Sequence, residues 1–198
     1  MKYSIDRNRN AKELDDNELE PTLAEMTARA LETLHSQSSK GFFLLIEGSR
    51  IDMASHSNDP ATHIHDILAY NDAFEVARQF TERYGGVLIS TSDHETGGLA
   101  VGRQLEKEYP EYAWYPEPLT HQICSTEEYA IEVAGTKNLT EDDVRRSLQH
   151  CFGMEDVTEE EFELVWENRE NALLVDYTVA DMIARRAQIG VYFMKGAS

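Results

Sequence analysis

Apolar residues in the first half of the chain switch between helical spacing and continuous strand-length runs. Residues 1–20 are polar and charged, and we expect them to form a loop. A capping-box pattern at Thr22–Glu25 then precedes apolar positions at helical spacing, which predicts a helix over about 22–36. The continuous apolar run Phe42–Ile46 follows, and such a run is typical of a strand buried on both faces of a parallel sheet.

The same order of elements repeats once. Asp59-Pro60 supplies an N-cap and a first-turn proline for a helix that we expect to reach about residue 83. Gly85-Gly86 ends that helix, and Val87–Ile89 is the next short apolar run. An order of helix, strand, helix, strand predicts an α/β fold with a right-handed crossover in a parallel sheet.

The second half of the chain is predicted to be mainly helical. The pattern weakens over 97–137, where the aromatic stretch Tyr109–Pro116 indicates a surface loop or an insertion outside the sheet. Apolar pairs flank Thr140 and Thr158 in the manner of helix N-termini, and a last helix is expected over about 176–187. The final residues, Val191–Ser198, have the composition of a strand start.

Composition and charge narrow the class of partner. The chain has 198 residues, of which 41% are hydrophobic, enough for one domain with an apolar core. A formal net charge of −19 argues against nucleic acid as a partner, since that affinity comes mainly from Lys and Arg. The same charge repels phosphate, so an acidic protein that binds a phosphate ester needs a local positive charge, most simply bound divalent cations.

The sequence gives little evidence of the cellular compartment. No 18-residue apolar stretch is present, and the first residues lack the apolar run of a signal peptide. Cys124 and Cys151 fit neither a disulfide framework nor a cysteine-rich zinc motif. Two unpaired thiols are the simplest interpretation, and the redox compartment stays open.

The first group of candidate ligands follows the run Phe42–Ile46. Glu47 stands at the predicted strand end, and Asp52 and His56 are four residues apart, so a helical turn would place them on one face. A carboxylate beside an imidazole suits zinc, whereas the hard oxygen of Glu47 suits magnesium. The alternative is that Asp52 caps a turn and His56 is an ordinary surface histidine.

The second group, Asp93 and His94, follows the run Val87–Ile89 in the same way. In a turn, both side chains can reach a metal above the strand end. A Ser-His-Asp triad is a poorer interpretation, because Ser92, Asp93 and His94 are consecutive and cannot readily adopt nucleophile-to-base geometry. Since neighbouring parallel strands would bring both groups into one cleft, together they favour a site for two metal ions, as in phosphoryl transfer.

Three segments resemble alkaline phosphatases, and the fungal vacuolar type in particular. They are Gly41–Asp52, Thr91–Gly98 and Arg186–Gly190, and the likeness extends from about residue 10 to residue 190. The resemblance implies an α/β, three-layer parallel-sheet fold of which this chain is the C-terminal portion and therefore incomplete. Core elements are expected over about 20–96 and 172–198, with an irregular or helical insertion over about 97–171 after the second strand.

The resemblance also implies a site and a reaction. Asp52 and His56 would bind one Zn²⁺, Asp93 and His94 a second Zn²⁺, and Glu47 one Mg²⁺. The implied activity is hydrolysis of small phosphate monoesters through a phosphoserine intermediate at alkaline pH. The family further suggests a homodimer in the vacuolar lumen or another extracytoplasmic compartment.

Departures from the family pattern predict an isolated chain with little or no activity. The family's nucleophilic serine lies in an Asp-Ser-Ala setting that this sequence lacks, and Val191–Ser198 offers no further histidine for zinc. Met53 occupies a position that is usually polar in relatives. Its thioether carries no charge and does not suit the hard metal ions that oxygen ligands bind. A non-catalytic metal-binding or partner-binding role is the alternative function.

Overall fold

The computed structural model describes residues 1–12, 18–103 and 113–190, and this part of the chain is mainly helical. The helices are α1 (Ser4–Asn10), α2 (Leu23–Gln37), α3 (Ser49–His56), α4 (Pro60–Tyr84), α5 (Thr126–Gly135), α6 (Glu141–Phe152), α7 (Glu159–Glu167) and α8 (Ala172–Arg186), with a short 3₁₀ helix at Glu117–His121. Two short strands, β1 (Ala100–Val101) and β2 (Ile189–Gly190), complete the described elements. None of the helices described has both the length and the apolarity needed to cross a membrane.

Local capping signals account for most of the helix starts. Thr22, Thr140 and Thr158 each form a capping box with the residue three positions later, as predicted for α2, α6 and α7. Asp59 caps α4, and Pro60 occupies its first turn, which confirms the predicted start. Helix α8 begins earlier than the predicted position near residue 176, because the side chain of Asn171 accepts the backbone N–H of Leu174.

The N-terminal segment departs from the predicted loop. Residues Ser4–Asn10 form α1, although the segment is polar and charged. Tyr3 and Ile5 are buried, and the carboxylate of Asp6 accepts the backbone N–H of Ser125 at 2.8 Å and its hydroxyl at 2.7 Å. Contacts with a distant part of the chain therefore stabilise this helix, and the expectation of a loop was wrong here.

The expected parallel sheet is not formed within the described residues. The strand pairing described there is antiparallel, with β1 opposite β2 and Ala100 facing Gly190. Phe42–Ile46 and Val87–Ile89 have no regular secondary structure, because a strand needs a hydrogen-bonded neighbour and none is present in this part of the chain. The segments stay open to solvent, at 88% exposure for Phe43 and 82% for Ile89.

The main apolar core lies among the later helices. Val144 and Leu148 of α6, Val165 of α7, and Val175 and Val179 of α8 are all fully buried in one cluster. Much of this core therefore falls within the range 97–171 that was expected to be an insertion, and its described part is largely helical. The division into core elements and insertion stays a prediction, as do the strand at Val191–Ser198 and the loop over 109–112, which lie outside the described residues.

A buried carboxylate joins the two helical regions. Asp59 is 1% exposed and accepts the backbone N–H of Thr62 in α4 and that of Thr126 in α5, at 3.1 Å and 2.9 Å. The amide of Gln122 also donates to both of its oxygens. One side chain thus caps α4 and fixes the start of α5 against it.

Candidate metal centre

Helix α3 positions the first pair of candidate ligands. Asp52 and His56 lie one turn apart, and the Nε2 atom of His56 is 3.4 Å from Oδ2 of Asp52. The side chain of Asp52 is 42% exposed and that of His56 is 68% exposed, so the pair opens to solvent. The segment is helical, so the two side chains lie on one face.

The second pair lies in the irregular segment after α4. The Nε2 atom of His94 is 3.1 Å from Oδ2 of Asp93. Hydrogen bonds from the backbone amides of Asp93 and His94 lower the pKa of the Asp93 carboxyl. The carbonyl oxygen of Glu95 and then the charge of Asp93 raise the pKa of His94. Acid therefore protonates His94 readily, and a metal would compete with that proton for the ring.

Thr96 connects the two pairs. Its hydroxyl donates to Oδ1 of Asp52 at 2.6 Å and lies 3.2 Å from Nδ1 of His94. Oδ1 of Asp52 and Nδ1 of His94 are consequently no more than 5.8 Å apart, the sum of these two contacts. The two groups predicted to share a cleft are thus brought together, although the expected sheet is absent from the described residues.

These contacts also place a hydrogen on Nδ1 of His94. The Thr96 hydroxyl has one proton, which it donates to Asp52, and Nδ1 of His94 also lies 3.0 Å from the carbonyl oxygen of Glu95. The contacts of Nδ1 with the Thr96 oxygen and with the Glu95 carbonyl are both favourable when Nδ1 carries hydrogen and donates it. In the protonated ring Nε2 also carries hydrogen and donates it to Oδ2 of Asp93, which is why the charge of Asp93 raises the pKa of His94. Zinc bound at Nε2 would take the place of that hydrogen.

Two glycines allow the close approach of these segments. Gly97 has φ of +69°, and a Cβ atom there would collide with the backbone oxygen of Ser55 in α3. Gly48, at the start of α3, lies against the ring of Tyr70 in α4, whose hydroxyl also forms a 2.8 Å hydrogen bond with Ser90. The position of the second pair relative to α3 is therefore fixed by direct backbone contact as well as by Thr96.

Glu47 stands apart from the other candidates. It is exposed, precedes α3 and makes no hydrogen bond or ion pair with the other four within the described ranges. Nor does this part of the chain contain any cluster of three or more His, Cys, Asp or Glu side chains that could hold one metal. Each Asp-His pair provides one oxygen and one nitrogen, which suits zinc, but zinc takes about four ligands, so each pair is half a coordination shell.

Thr96 and Gly97 are the residues that sequence reasoning missed. Both lie within the segment Thr91–Gly98 that carries the family resemblance, but only its Asp and His were taken as functional. The available signal was a hydroxyl residue two positions after His94, followed by two glycines. Its meaning depends on Asp52, which is 44 residues away from Thr96 in sequence.

Comparisons with known proteins place these observations among relatives. The family model described as "Alkaline phosphatase" matches residues 1–193. An alkaline phosphatase of Schizosaccharomyces pombe is 43% identical over 87% of this chain, and the repressible alkaline phosphatase of Saccharomyces cerevisiae is 38% identical over 90% of it. The chain covers 34% of the length of each of these two relatives.

A solved structure gives the same result for the fold. The crystal structure of a cold-active alkaline phosphatase from the psychrophile Shewanella sp. superimposes with a TM-score of 0.70 at 27% identity. The match covers 89% of this chain and 42% of that one. The helical arrangement described above therefore corresponds to part of a larger known structure.

Proposed function

Since this chain belongs to the alkaline phosphatase family, we propose that it contributes the metal-binding part of a site that hydrolyses small phosphate monoesters. In this proposal Asp52 and His56 hold one Zn²⁺, and Asp93 and His94 hold a second. Glu47 holds Mg²⁺. Bound zinc would supply Lewis-acid polarisation of phosphate oxygens and offset the formal charge of −19.

The contact of Thr96 with both pairs carries the proposal. Two separate surface Asp-His pairs would be unremarkable, since each has an ordinary structural explanation. A hydroxyl that bonds Asp52 at 2.6 Å and contacts His94 at 3.2 Å makes the two pairs neighbours, which supports one shared site. Neighbouring cation sites of this kind suit the attacking and leaving oxygens of a phosphate ester.

We expect residues outside this sequence to supply the remaining ligands and the nucleophile. Each pair supplies two ligands, and the sequence has no Asp-Ser-Ala segment. In the assembled site, we expect Phe42–Ile46 and Val87–Ile89 to pair as strands of a three-layer parallel sheet, and the reaction to proceed through a phosphoserine. A homodimer and a vacuolar or other extracytoplasmic location are part of the same proposal, because they rest on the same resemblance.

A non-catalytic metal-binding role is the second candidate. It is favoured by the half-complete coordination of each pair and by the thioether of Met53, which is 42% exposed in the same turn of α3. This role predicts zinc binding by the isolated chain without turnover. It shares the metal site with the first proposal and differs in catalysis alone.

Zinc titration of the full chain against a chromophoric chelator tests the shared site. Asp93→Ala is expected to weaken zinc binding by at least about tenfold, because it removes a ligand. The matched control is Asp142→Ala, an exposed aspartate on α6 that should bind zinc like the wild type. Equal affinities for wild type and Asp93→Ala would contradict the proposed site.

Turnover of p-nitrophenyl phosphate with added zinc and magnesium then separates the two candidates. We expect very low or no activity from this chain alone, because it lacks the nucleophile. Activity that disappears in Asp93→Ala but persists in Asp142→Ala would establish that the isolated chain is a phosphatase. When the chain is combined with the part of the Schizosaccharomyces pombe relative that it does not cover, turnover would favour the catalytic proposal, and zinc binding without turnover would favour the non-catalytic role.

A further inference from the structure

The two cysteines are buried side by side in the helical core. Cys124 immediately precedes the N-cap of α5 and is 0% exposed, while Cys151 lies in the last turn of α6 and is 5% exposed. Both belong to the same apolar cluster, together with Tyr129 and Phe152. Both are free thiols, as the sequence interpretation expected, and the fold brings them into one cluster.

A backbone hydrogen bond joins the segments that carry the two cysteines. The N–H of Ile123 donates to the carbonyl oxygen of Cys151 at 2.8 Å. This bond brings the two segments into direct contact, and Cys124 is the next residue along its segment. A disulfide spans Cα atoms that are about 4.4–6.8 Å apart, a separation that residues on two contacting segments can adopt.

The surroundings shift the pKa values of the two thiols in opposite directions. The thiol of Cys124 hydrogen-bonds to Cys151 and, with the charge of Arg9, lowers the pKa of Cys151. The same hydrogen bond, together with burial, raises the pKa of Cys124. Arg9 is held at this place by Glu132, 2.9 Å from its guanidinium, and Asp6 lies nearby. Cys151 is therefore the more acidic of the two thiols, and in thiol-disulfide exchange the more acidic thiol more readily supplies the attacking thiolate.

We propose that Cys124 and Cys151 form an intramolecular disulfide when the chain meets a small disulfide oxidant such as oxidised glutathione. The thiolate of Cys151 attacks one glutathione sulfur, forming a mixed disulfide and releasing one glutathione thiolate. The sulfur of Cys124, having lost its proton to solvent, then attacks Cys151 and releases the second glutathione thiolate. Two protein thiols are oxidised, and one glutathione disulfide is reduced to two thiols.

The bond would link the segment before α5 to the end of α6. It would close a loop of roughly 28 residues that contains both helices and would leave the Asp-His pairs untouched. Both cysteines are buried, so the oxidant reaches them through local opening of the fold. The disulfide would therefore act on the stability of the helical core and would not take part in the phosphatase chemistry.

Alkylation and intact mass measurement of the full chain test this inference. After incubation with oxidised glutathione, the wild type is expected to lose about 2 Da and to resist iodoacetamide in denaturant, with a monomeric band on a non-reducing gel. Its thermal midpoint should rise by about 5–10 °C and return on reduction. Peptide mapping should identify Cys124 linked to Cys151.

Single replacements provide the controls. Cys124→Ser and Cys151→Ser each leave one thiol, so they should show alkylation or a glutathione adduct and no reversible rise in midpoint. The inference would be overturned if the wild type, folded by circular dichroism, kept two alkylatable thiols, carried only glutathione adducts, or formed only cross-linked dimers. These readouts use the wild type, so a variant that failed to fold would not obscure them.

Discussion

Gly97 lies so close to the backbone oxygen of Ser55 that no side chain fits between them. The contact joins the turn that follows Asp93 and His94 to the helix that carries Asp52 and His56. Its backbone φ of +69° is a second reason for glycine, since residues with a Cβ rarely adopt it.

Replacing Gly97 with alanine should therefore separate the two segments. We expect Gly97→Ala to lower the free energy of unfolding by about 2–4 kcal/mol, because backbone strain and a backbone collision add. Urea denaturation measures this change. Gly135→Ala is the matched control: Gly135 ends α5 with open space around it and should be neutral or slightly stabilising. Equal effects at both positions would argue against the close contact.

The hydroxyl of Thr96 should matter for zinc more than for folding. Thr96→Val keeps the shape of the side chain but removes the hydrogen bond to Asp52 and the contact with His94. We expect zinc affinity to fall by about 10- to 100-fold, as when outer groups that orient ligands are lost. Chelator competition measures this, with Thr33→Val on α2 as the control. Unchanged affinity in Thr96→Val would mean that the hydroxyl does not organise the ligands.

Asp6 should make stability depend on pH. Burial, opposed by hydrogen bonds from Ser125, raises the pKa of Asp6 from 3.8 to about 6. Between these values the folded chain binds a proton that the unfolded chain has released, so the contribution of Asp6 to the free energy of unfolding falls as pH rises. The Asp6→Asn variant has no ionisable carboxyl group at this position and serves as the reference.

Urea titrations at about pH 5 and pH 7.5 isolate this contribution. The stability of the wild type relative to Asp6→Asn should decrease by about 1 kcal/mol between the two values. Both conditions lie above the sequence pI of about 4.6, where net charge helps solubility. Asp142→Asn should keep a constant difference from the wild type. A difference for Asp6→Asn that grew with pH would reverse the sign of the argument.

The exposed apolar segments should promote association. Leu45 and Ile89 are 80% and 82% exposed on segments that lack strand partners in the described residues. Such segments pair with other chains. Sedimentation velocity should show concentration-dependent association of the wild type, reduced in the double variant Leu45→Lys with Ile89→Lys.

The control for association adds the same charge elsewhere. Leu164 and Leu173 are 50% and 59% exposed on α7 and α8, and replacing both with lysine should leave association unchanged. A similar reduction in both double variants would attribute the effect to net charge. A monomeric wild type at all concentrations would contradict the expectation.

Local signals predicted the helices, and distant contacts explain the failures. Thr22, Thr140 and Thr158 start helices through bonds within three residues, so their sequence neighbours suffice. Helix α1 instead depends on the contact between Asp6 and Ser125, which are 119 positions apart. The run Phe42–Ile46 has the composition of a buried strand, but a sheet also needs neighbouring strands, and one segment's sequence cannot show whether they are present.

The site divides in the same way. Residue type and spacing were enough to select Asp52, His56, Asp93 and His94, and the structure places the two pairs together. Metal binding by them, and by Glu47, stays a prediction. The role of Thr96 could not be predicted, because a threonine hydroxyl carries no sequence signal of the distant partner that it binds.

Asp59 couples the stability of the first turn of α4 to that of α5. Fraying at the start of either helix would leave a buried carboxylate with fewer donors, so the first turns of both should open in one cooperative event. Amide hydrogens of Thr62 and Thr126 should then exchange with solvent at similar, slow rates, despite their distance in sequence. Helix α4 also carries Tyr70, which contacts Gly48 and Ser90 beside the candidate ligands. The stability of the ligand-bearing turns therefore depends in part on Asp59, which joins α4 to the helical core.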